Sequence, residues 1–253
     1  MTAETEPFIL QLEQTDSTNT YVREHFDMLP DLALVTAVYQ SAGRGRLGRK
    51  WIAPPGLNFC GTFCFKNVHD GFHAGMICGV ALMDTMKEIA PEVDCYLKWP
   101  NDLYLGKAKL AGMLGEGIIR NGKLAGIAMG IGLNVNTTAE DLAGVGQPAV
   151  SLKTACQRDF NLENLTKSLA ISLKRCYINY SNSIDAVFAR WRAANRLLGR
   201  QIGLTDSCGK RWEGIFCDVT GSGELVLEFL SPEGKRMRKN FNCGDVSVDK
   251  STI

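Results

Sequence analysis

The chain has 253 residues, 45% of them apolar and 22% charged, with a net charge of +1. This is ordinary for a soluble globular protein and enough for a substantial core. No apolar run approaches the ~20 residues that a helix needs to cross a bilayer, and the near-neutral balance argues against a general nucleic-acid binder, which spreads cations over a whole face.

Residues 1–7 are polar and acidic, unlike a signal or transit peptide. A first strand is expected over residues 8–12, followed by helix-capping chemistry in Asp16-Ser17-Thr18-Asn19 ahead of Tyr21, Val22 and Phe26. Residues 32–39, rich in Val, Leu and Ala, read as a buried strand, and a further strand over 57–65 follows the Pro54-Pro55-Gly56 break. Residues 73–89 are apolar on most sides and predict a buried helix, with a strand at 93–99 next. Asn121-Gly122 between 113–120 and 123–135 is a two-residue hairpin signal. Gly126, Gly130 and Gly132 in its second arm point to close approach by a ligand or another strand. One amphipathic helix aligns Leu162, Leu165, Leu169, Leu173, Cys176 and Tyr180; another, capped by Ser183, aligns Ile184, Val187, Phe188 and Trp191. After Asn195, short strands punctuated by Gly and Pro turns predict a small all-β unit. The expected division is a catalytic domain over 1–195 and a β domain over 196–253, whose 58 residues are few enough to need support from the larger part.

Nine cysteines, with no Cys-x-x-Cys pair, read as reduced thiols of a cytoplasmic protein; Cys60 and Cys64 fall on one side of a strand. His69 and His73 are four residues apart, with no partners to complete a metal site.

Residues 40–51, Gln-Ser-Ala-Gly-Arg-Gly-Arg-Leu-Gly-Arg-Lys-Trp, concentrate the cations of the chain. Without Arg44, Arg46, Arg49 and Lys50, 24 Lys+Arg face 27 Asp+Glu, a net of −3. Glycine lets backbone N–H groups approach an anion, arginine forks match carboxylate or phosphate, and Trp51 offers a flat face to a base. A solvated basic loop and a nucleic-acid patch are the alternatives. In Lys98-Trp99-Pro100-Asn101-Asp102, proline stops a strand and leaves two polar residues at its mouth, although Pro-Asn-Asp is also good turn chemistry. Lys109, in the apolar setting Leu110-Ala111-Gly112, needs an anionic partner unless it lies on a sheet edge. Ser17-Thr18-Asn19 offers more neutral hydrogen-bonding groups than capping uses.

These segments occur together and in order: Ser-Thr-Asn, then the Gly-Arg run ending in Trp51, then Lys-Trp-Pro-Asn-Asp-Leu with Lys-Leu-Ala-Gly, then Gly-Ile-Gly-Leu-Asn-Val-Asn at 130–136. Together they resemble the biotin protein ligases, over residues 8 to about 136. The resemblance implies an α+β fold: a mixed, largely antiparallel sheet flanked by helices, of the class II synthetase-like type, followed by a C-terminal SH3-like β-barrel. It implies a biotin–[acetyl-CoA-carboxylase] ligase of the monofunctional type, with no N-terminal DNA-binding domain and no role at DNA or membranes. Such an enzyme makes biotinyl-5′-adenylate from biotin and ATP and passes biotin to a lysine of a biotin carboxyl carrier domain. It acts as monomer or homodimer.

By the same resemblance, Ser17, Thr18, Asn19, Gln40, Arg44, Gly45, Arg46, Lys109 and Gly112 bind biotin. Arg44, Arg46, Arg49, Trp51, Asn101, Lys109 and Asn134 bind ATP or the adenylate, and Lys109, Arg46 and Asp102 are catalytic. Mg2+ is expected on the ATP phosphates, with no ligand assigned from the protein. The sequence departs at Leu47, where relatives often carry a third basic residue, which implies weaker retention of the adenylate. The glycines of this loop imply that it orders on ligand binding. A lipoate or octanoate ligase is the nearest rival, but its Arg-Arg-x-x-Gly-Gly-Gly segment is missing. A non-enzymatic nucleic-acid binder is the rival of a different class.

Overall fold

The computed structural model describes residues 6–247. Strands β1 (Ile9–Thr15) and β2 (Leu34–Gln40) pair in parallel, with helix α1 (Thr18–Glu24) between them in the chain. All other pairings of the first sheet are antiparallel, through β3 (Phe59–Phe65), β4 (Cys95–Lys98), β5 (Asp102–Leu105), β6 (Ala108–Arg120) and β7 (Lys123–Leu133). The order is β1-β2-β3-β7-β6-β5-β4, which makes β7 central. Residues Asn121 and Gly122 turn the β6–β7 hairpin with φ of 52° and 73°, as a type I′ turn requires.

Alternation along the strands sorts the two faces of this sheet. Phe59, Phe63 and Phe65 of β3, with Ile127, Met129, Ile131 and Leu133 of β7, join the main core. That face is covered by helices α2 (Gly71–Ile89), α5 (Leu162–Asn182) and α6 (Ile184–Ala194). The α2 helix is buried over most of its surface, and its N-terminus is capped by Asp70, whose carboxylate accepts from the Phe72 and His73 amides. Ser183 caps α6, as expected from sequence. On the opposite face α1 covers only part of the sheet, packing Val22 against Val35, Cys64 and Ala128. The rest of that face is open, and the polar residues gather there. Two short helices, α3 (Ala139–Leu142) and α4 (Leu152–Cys156), and β5 are too brief to show a period in the sequence.

The C-terminal strands β8 (Gln201–Thr205), β9 (Arg211–Val219), β10 (Leu225–Leu230), β11 (Arg236–Phe241) and β12 (Asp245–Ser247) form a five-stranded antiparallel sheet in the order β11-β10-β9-β8-β12. It is consistent with an SH3-like unit, but the expected barrel is corrected to an open sheet. β12 is three residues long and pairs with β8, and no β11–β12 pairing closes the ring among the described residues. The edge strand β11 carries Arg236, Arg238 and Lys239, the charged kind of edge that discourages pairing. This sheet does not stand apart. Leu204, Phe216, Leu225, Leu227, Phe241 and Val246 belong to the same apolar cluster as the α2–α5 layer, and Trp99 Nε1 donates to the Gly223 carbonyl at 2.8 Å.

Candidate active site

A cavity of about 630 Å3 lies on the open face of the first sheet. It is lined by the α1 N-terminus, the Gly-Arg loop, the ends of β4–β7, residues 145–147 with Ala149, and β12.

Its floor follows from strand register. Cys60, Gly132, Gly112, Asp102 and Lys98 form one cross-strand row over β3, β7, β6, β5 and β4. Thr62, Gly130 and Leu114 form the next. Glycines stand where side chains from above come down. A Cβ on Gly130 would lie 2.3 Å from Asn19 Oδ1, one on Gly132 2.2 Å from the Trp51 ring, and one on Gly112 2.8 Å from Lys109 Cε. The sequence predicts close approach by a ligand or another strand; at Gly130 and Gly132 it is these side chains that come close, and at Gly126 it is the Phe65 carbonyl oxygen of the neighbouring strand β3, with the Phe26 ring beside it.

At one end, Ser17, Thr18 and Asn19 are buried. Their role differs from plain capping, because Ser17 is the N-cap residue but its side chain makes no cap hydrogen bond. Gln40 supplies that acceptor instead: its Oε1 takes bonds from Thr18 N at 2.8 Å and Thr18 Oγ1 at 3.1 Å. Thr62 Oγ1 lies 2.7 Å from both Thr18 Oγ1 and Asn19 Oδ1, and Asn19 Nδ2 donates to the Leu114 carbonyl. The result is a compact neutral network of donors and acceptors. Cys60 sits beside it, its thiol pushed up to about 11 by burial, with the Trp51 and Gln40 side chains opposing.

In the middle, Lys109 Nζ meets Asp102 Oδ1 at 2.7 Å and lies 5.9 Å from the centre of the Trp51 ring. A bulge in the β5–β6 pairing makes this possible. Leu110 and Ala111 both enter the main core, so Lys109 is turned to the cavity face. Asn101 accepts from Arg46 Nη1 at 3.0 Å and donates to the Met113 carbonyl. Asn134 is buried, its Nδ2 donating to the Val150 carbonyl at 3.1 Å.

The Gly-Arg loop is a small hairpin. Gly45 N donates to Arg49 O and Trp51 N to Gly43 O, around a turn at Arg46–Gly48 whose tip residue Leu47 has φ of 55° and is 70% exposed. Its cations are anchored to different elements. Arg44 meets Glu116 on β6, with Nη2–Oε1 at 3.1 Å, and Arg49 meets Asp245 on β12 at 2.5 Å. Arg46 alone of these three turns to Asn101 in the cavity. The structure therefore brings every expected site residue to this cavity, but it engages Arg44 and Arg49 with carboxylates. Sequence reasoning missed Thr62, Glu116, Tyr104, Lys98 and Asp245. For Thr62 a signal existed, as the one hydroxyl within an apolar strand.

At the far end Lys98 and Tyr104 face the cavity, with Nζ 3.2 Å from the phenol oxygen. Burial lowers the Lys98 pKa below the ordinary lysine value, opposed by Asp102, and burial together with Asp102 raises that of Tyr104.

Residues 11–134 match the model of the Biotin/lipoate A/B protein ligase family. The biotin–[acetyl-CoA-carboxylase] ligase of Paracoccus denitrificans is 30% identical over 234 residues, covering 89% of this chain and 95% of the relative. The bifunctional ligase/repressor BirA of Escherichia coli is 30% identical over 220 residues, 84% of this chain and 67% of the relative. Among solved structures, biotin protein ligase from Aquifex aeolicus in complex with biotin and ATP superposes with a TM-score of 0.77 at 21% identity, covering 95% of this chain and 97% of that one.

Proposed function

The chain belongs to the biotin protein ligases, and from that premise we propose how its cavity performs the reaction. The enzyme is a biotin–[acetyl-CoA-carboxylase] ligase: it forms biotinyl-5′-adenylate from biotin and ATP, then transfers biotin to a lysine of a carrier domain. The neutral network of Ser17, Thr18, Asn19 and Gln40, with Thr62, suits a urea-like ring, which needs donors and acceptors but no charge. Biotin would lie from there toward Gly112, placing its carboxylate beside Lys109, Arg46 and the Gly45 backbone.

The first step brings a carboxylate against an α-phosphate. Two unit negative charges at ~4 Å repel by about 4 kcal/mol near a protein surface, which placed cations must offset. The observation that carries the reading is Lys109, held over Gly112 by Asp102 and by the β6 bulge. Its side chain and that of Asp102 are only 15% and 18% exposed, so the ammonium is fixed before substrates arrive. Arg46 is the second cation. Arg44 and Arg49 set the loop over the cavity through Glu116 and Asp245 and border the adenylate. Trp51 serves as the adenine platform, with Asn101 and Asn134 as polar neighbours of the nucleotide. Mg2+ would enter on the ATP phosphates, because the two carboxylates lining the cavity, Asp102 and Asp245, are already ion-paired.

In the second step we assign Asp102 the role of accepting the proton of the incoming lysine amine. Catalytic residues fall within 1–195, while the segment 196–253 supplies a wall through Gly244, Asp245 and Val246. The partner is the carrier domain of acetyl-CoA carboxylase or a related carboxylase, in the cytoplasm; the nine cysteines are all free, which suits a reducing compartment. The test is to mix enzyme, ATP, biotin and purified carrier domain and read the mass of the carrier. An increase by one biotinyl group supports the reading, and an unchanged mass with active carrier refutes it.

A further inference from the structure

Lys98 stands at the end of the cavity opposite the neutral network. The cross-strand row from Cys60 to Lys98 spans four strand spacings, about 19 Å at ~4.8 Å each. Biotin at the first end and the biotin carboxylate at Lys109 leave the Lys98 end for whatever departs from the α-phosphate. The charge pattern agrees. Lys109, Arg49 and Arg44 are each matched by a carboxylate, Asp102, Asp245 and Glu116 in turn. Lys98 instead meets a neutral phenol, its Nζ 3.2 Å from Tyr104 Oη and 4.3 Å from the ring centre. Burial disfavours its charge and Lys109 adds to this, while Asp102, its cross-strand partner on β5, and Asp245 favour the charge without forming an ion pair with it among the described residues. A half-buried ammonium whose nearest partner is neutral is suited to bind an anion.

We propose that Lys98 is the pyrophosphate-binding residue of the first half-reaction, its ammonium hydrogen-bonded to a β- or γ-phosphate oxygen of ATP. A biotin carboxylate oxygen attacks the α-phosphorus and forms the new C–O–P bond. The bond from the α-phosphorus to the bridging oxygen breaks, and its electron pair leaves with pyrophosphate. Lys98 neutralises charge that grows on that leaving group, and Tyr104 positions the ammonium by its oxygen and its ring face. This assignment rests on the biotin-ligase reading.

The test separates the two half-reactions in the full-length enzyme. Lys98→Ala and Lys98→Arg are compared in biotin-dependent ATP–pyrophosphate exchange at varied pyrophosphate, and in transfer from added biotinyl-5′-adenylate to the carrier domain. For Lys98→Ala, exchange falls about 10- to 100-fold, the range for one charge-assisted hydrogen bond, and the KM for pyrophosphate rises. Transfer stays within about twofold, and Lys98→Arg recovers much of the exchange. Unchanged exchange overturns the proposal. An equal fall in both half-reactions, with a lower melting temperature, also overturns it and makes Lys98 a support for Tyr104. No exchange in the unaltered enzyme would overturn the ligase reading itself, and the proposal with it.

Discussion

Gly132→Ala offers a quantitative test of how the cavity floor is built. The new Cβ would lie 2.2 Å from Trp51 Cε2 and 2.5 Å from Cζ2. β7 cannot yield, because β3 and β6 hold it on both sides; the indole must move. If it stays and is compressed, overpacking costs about 1–3 kcal/mol. At about 2–4 °C per kcal/mol for a chain of this size, the melting temperature falls by roughly 2–12 °C. If the indole swings out, stability is spared and the adenine loses its proposed platform. Stacking on an aromatic is worth about 1–3 kcal/mol per base, so the KM for ATP rises about 5- to 150-fold. Biotin binding without ATP, measured by calorimetry, stays within about twofold. The control is Gly75→Ala in α2, where the nearest heavy atom to a new Cβ is Met129 Cε at 3.8 Å; it gains up to about 1 kcal/mol from helix propensity. A Gly132→Ala enzyme with unchanged melting temperature and unchanged KM for ATP would refute the packing of Trp51 on Gly132.

Other outcomes follow from the same geometry. With a pKa of about 11, Cys60 is a thiolate in only ~0.1% of molecules at pH 8. Iodoacetamide therefore labels exposed Cys208 first; Cys60 labelling rises as the pH approaches its pKa, and mass spectrometry that found Cys60 labelled as fast as Cys208 at pH 8 would contradict its burial. Asp102→Asn slows transfer from preformed adenylate by about 10²-fold or more if the carboxylate is the base; unchanged transfer restricts Asp102 to holding Lys109. Protease cleavage between Gly43 and Lys50 falls when biotin and ATP are added, and cleavage that persists unchanged argues against closure of the loop on ligand.

Much of the candidate site was legible because its residues lie in short runs whose chemistry is local. The Gly-Arg loop, the Ser17–Asn19 triplet and the Lys109–Gly112 segment each carry their message within a few residues. The glycines of β7 announced a close approach by a ligand or a strand, but at Gly130 and Gly132 the neighbours are the Asn19 and Trp51 side chains. Strand register was not legible, and register decides which side chains meet. Lys98, Asp102, Gly112 and Gly132 share one row only because β4–β7 pair as they do. The carboxylates that hold the loop are likewise distant in sequence, Glu116 by 72 residues from Arg44 and Asp245 by 196 from Arg49. The open C-terminal sheet was missed for a different reason: turn spacing counts strands but does not say whether the first and last meet. The Lys109 bulge also left no local signal, since Lys-Leu-Ala-Gly reads equally well as an ordinary edge strand.

The most direct test of the central claim is pyrophosphate exchange with ATP, run with biotin, with lipoate and with neither, on the unaltered enzyme and on Lys109→Ala. Exchange that requires biotin and disappears in Lys109→Ala is the predicted result. Exchange with lipoate in place of biotin, or full biotin-dependent exchange without Lys109, would contradict it.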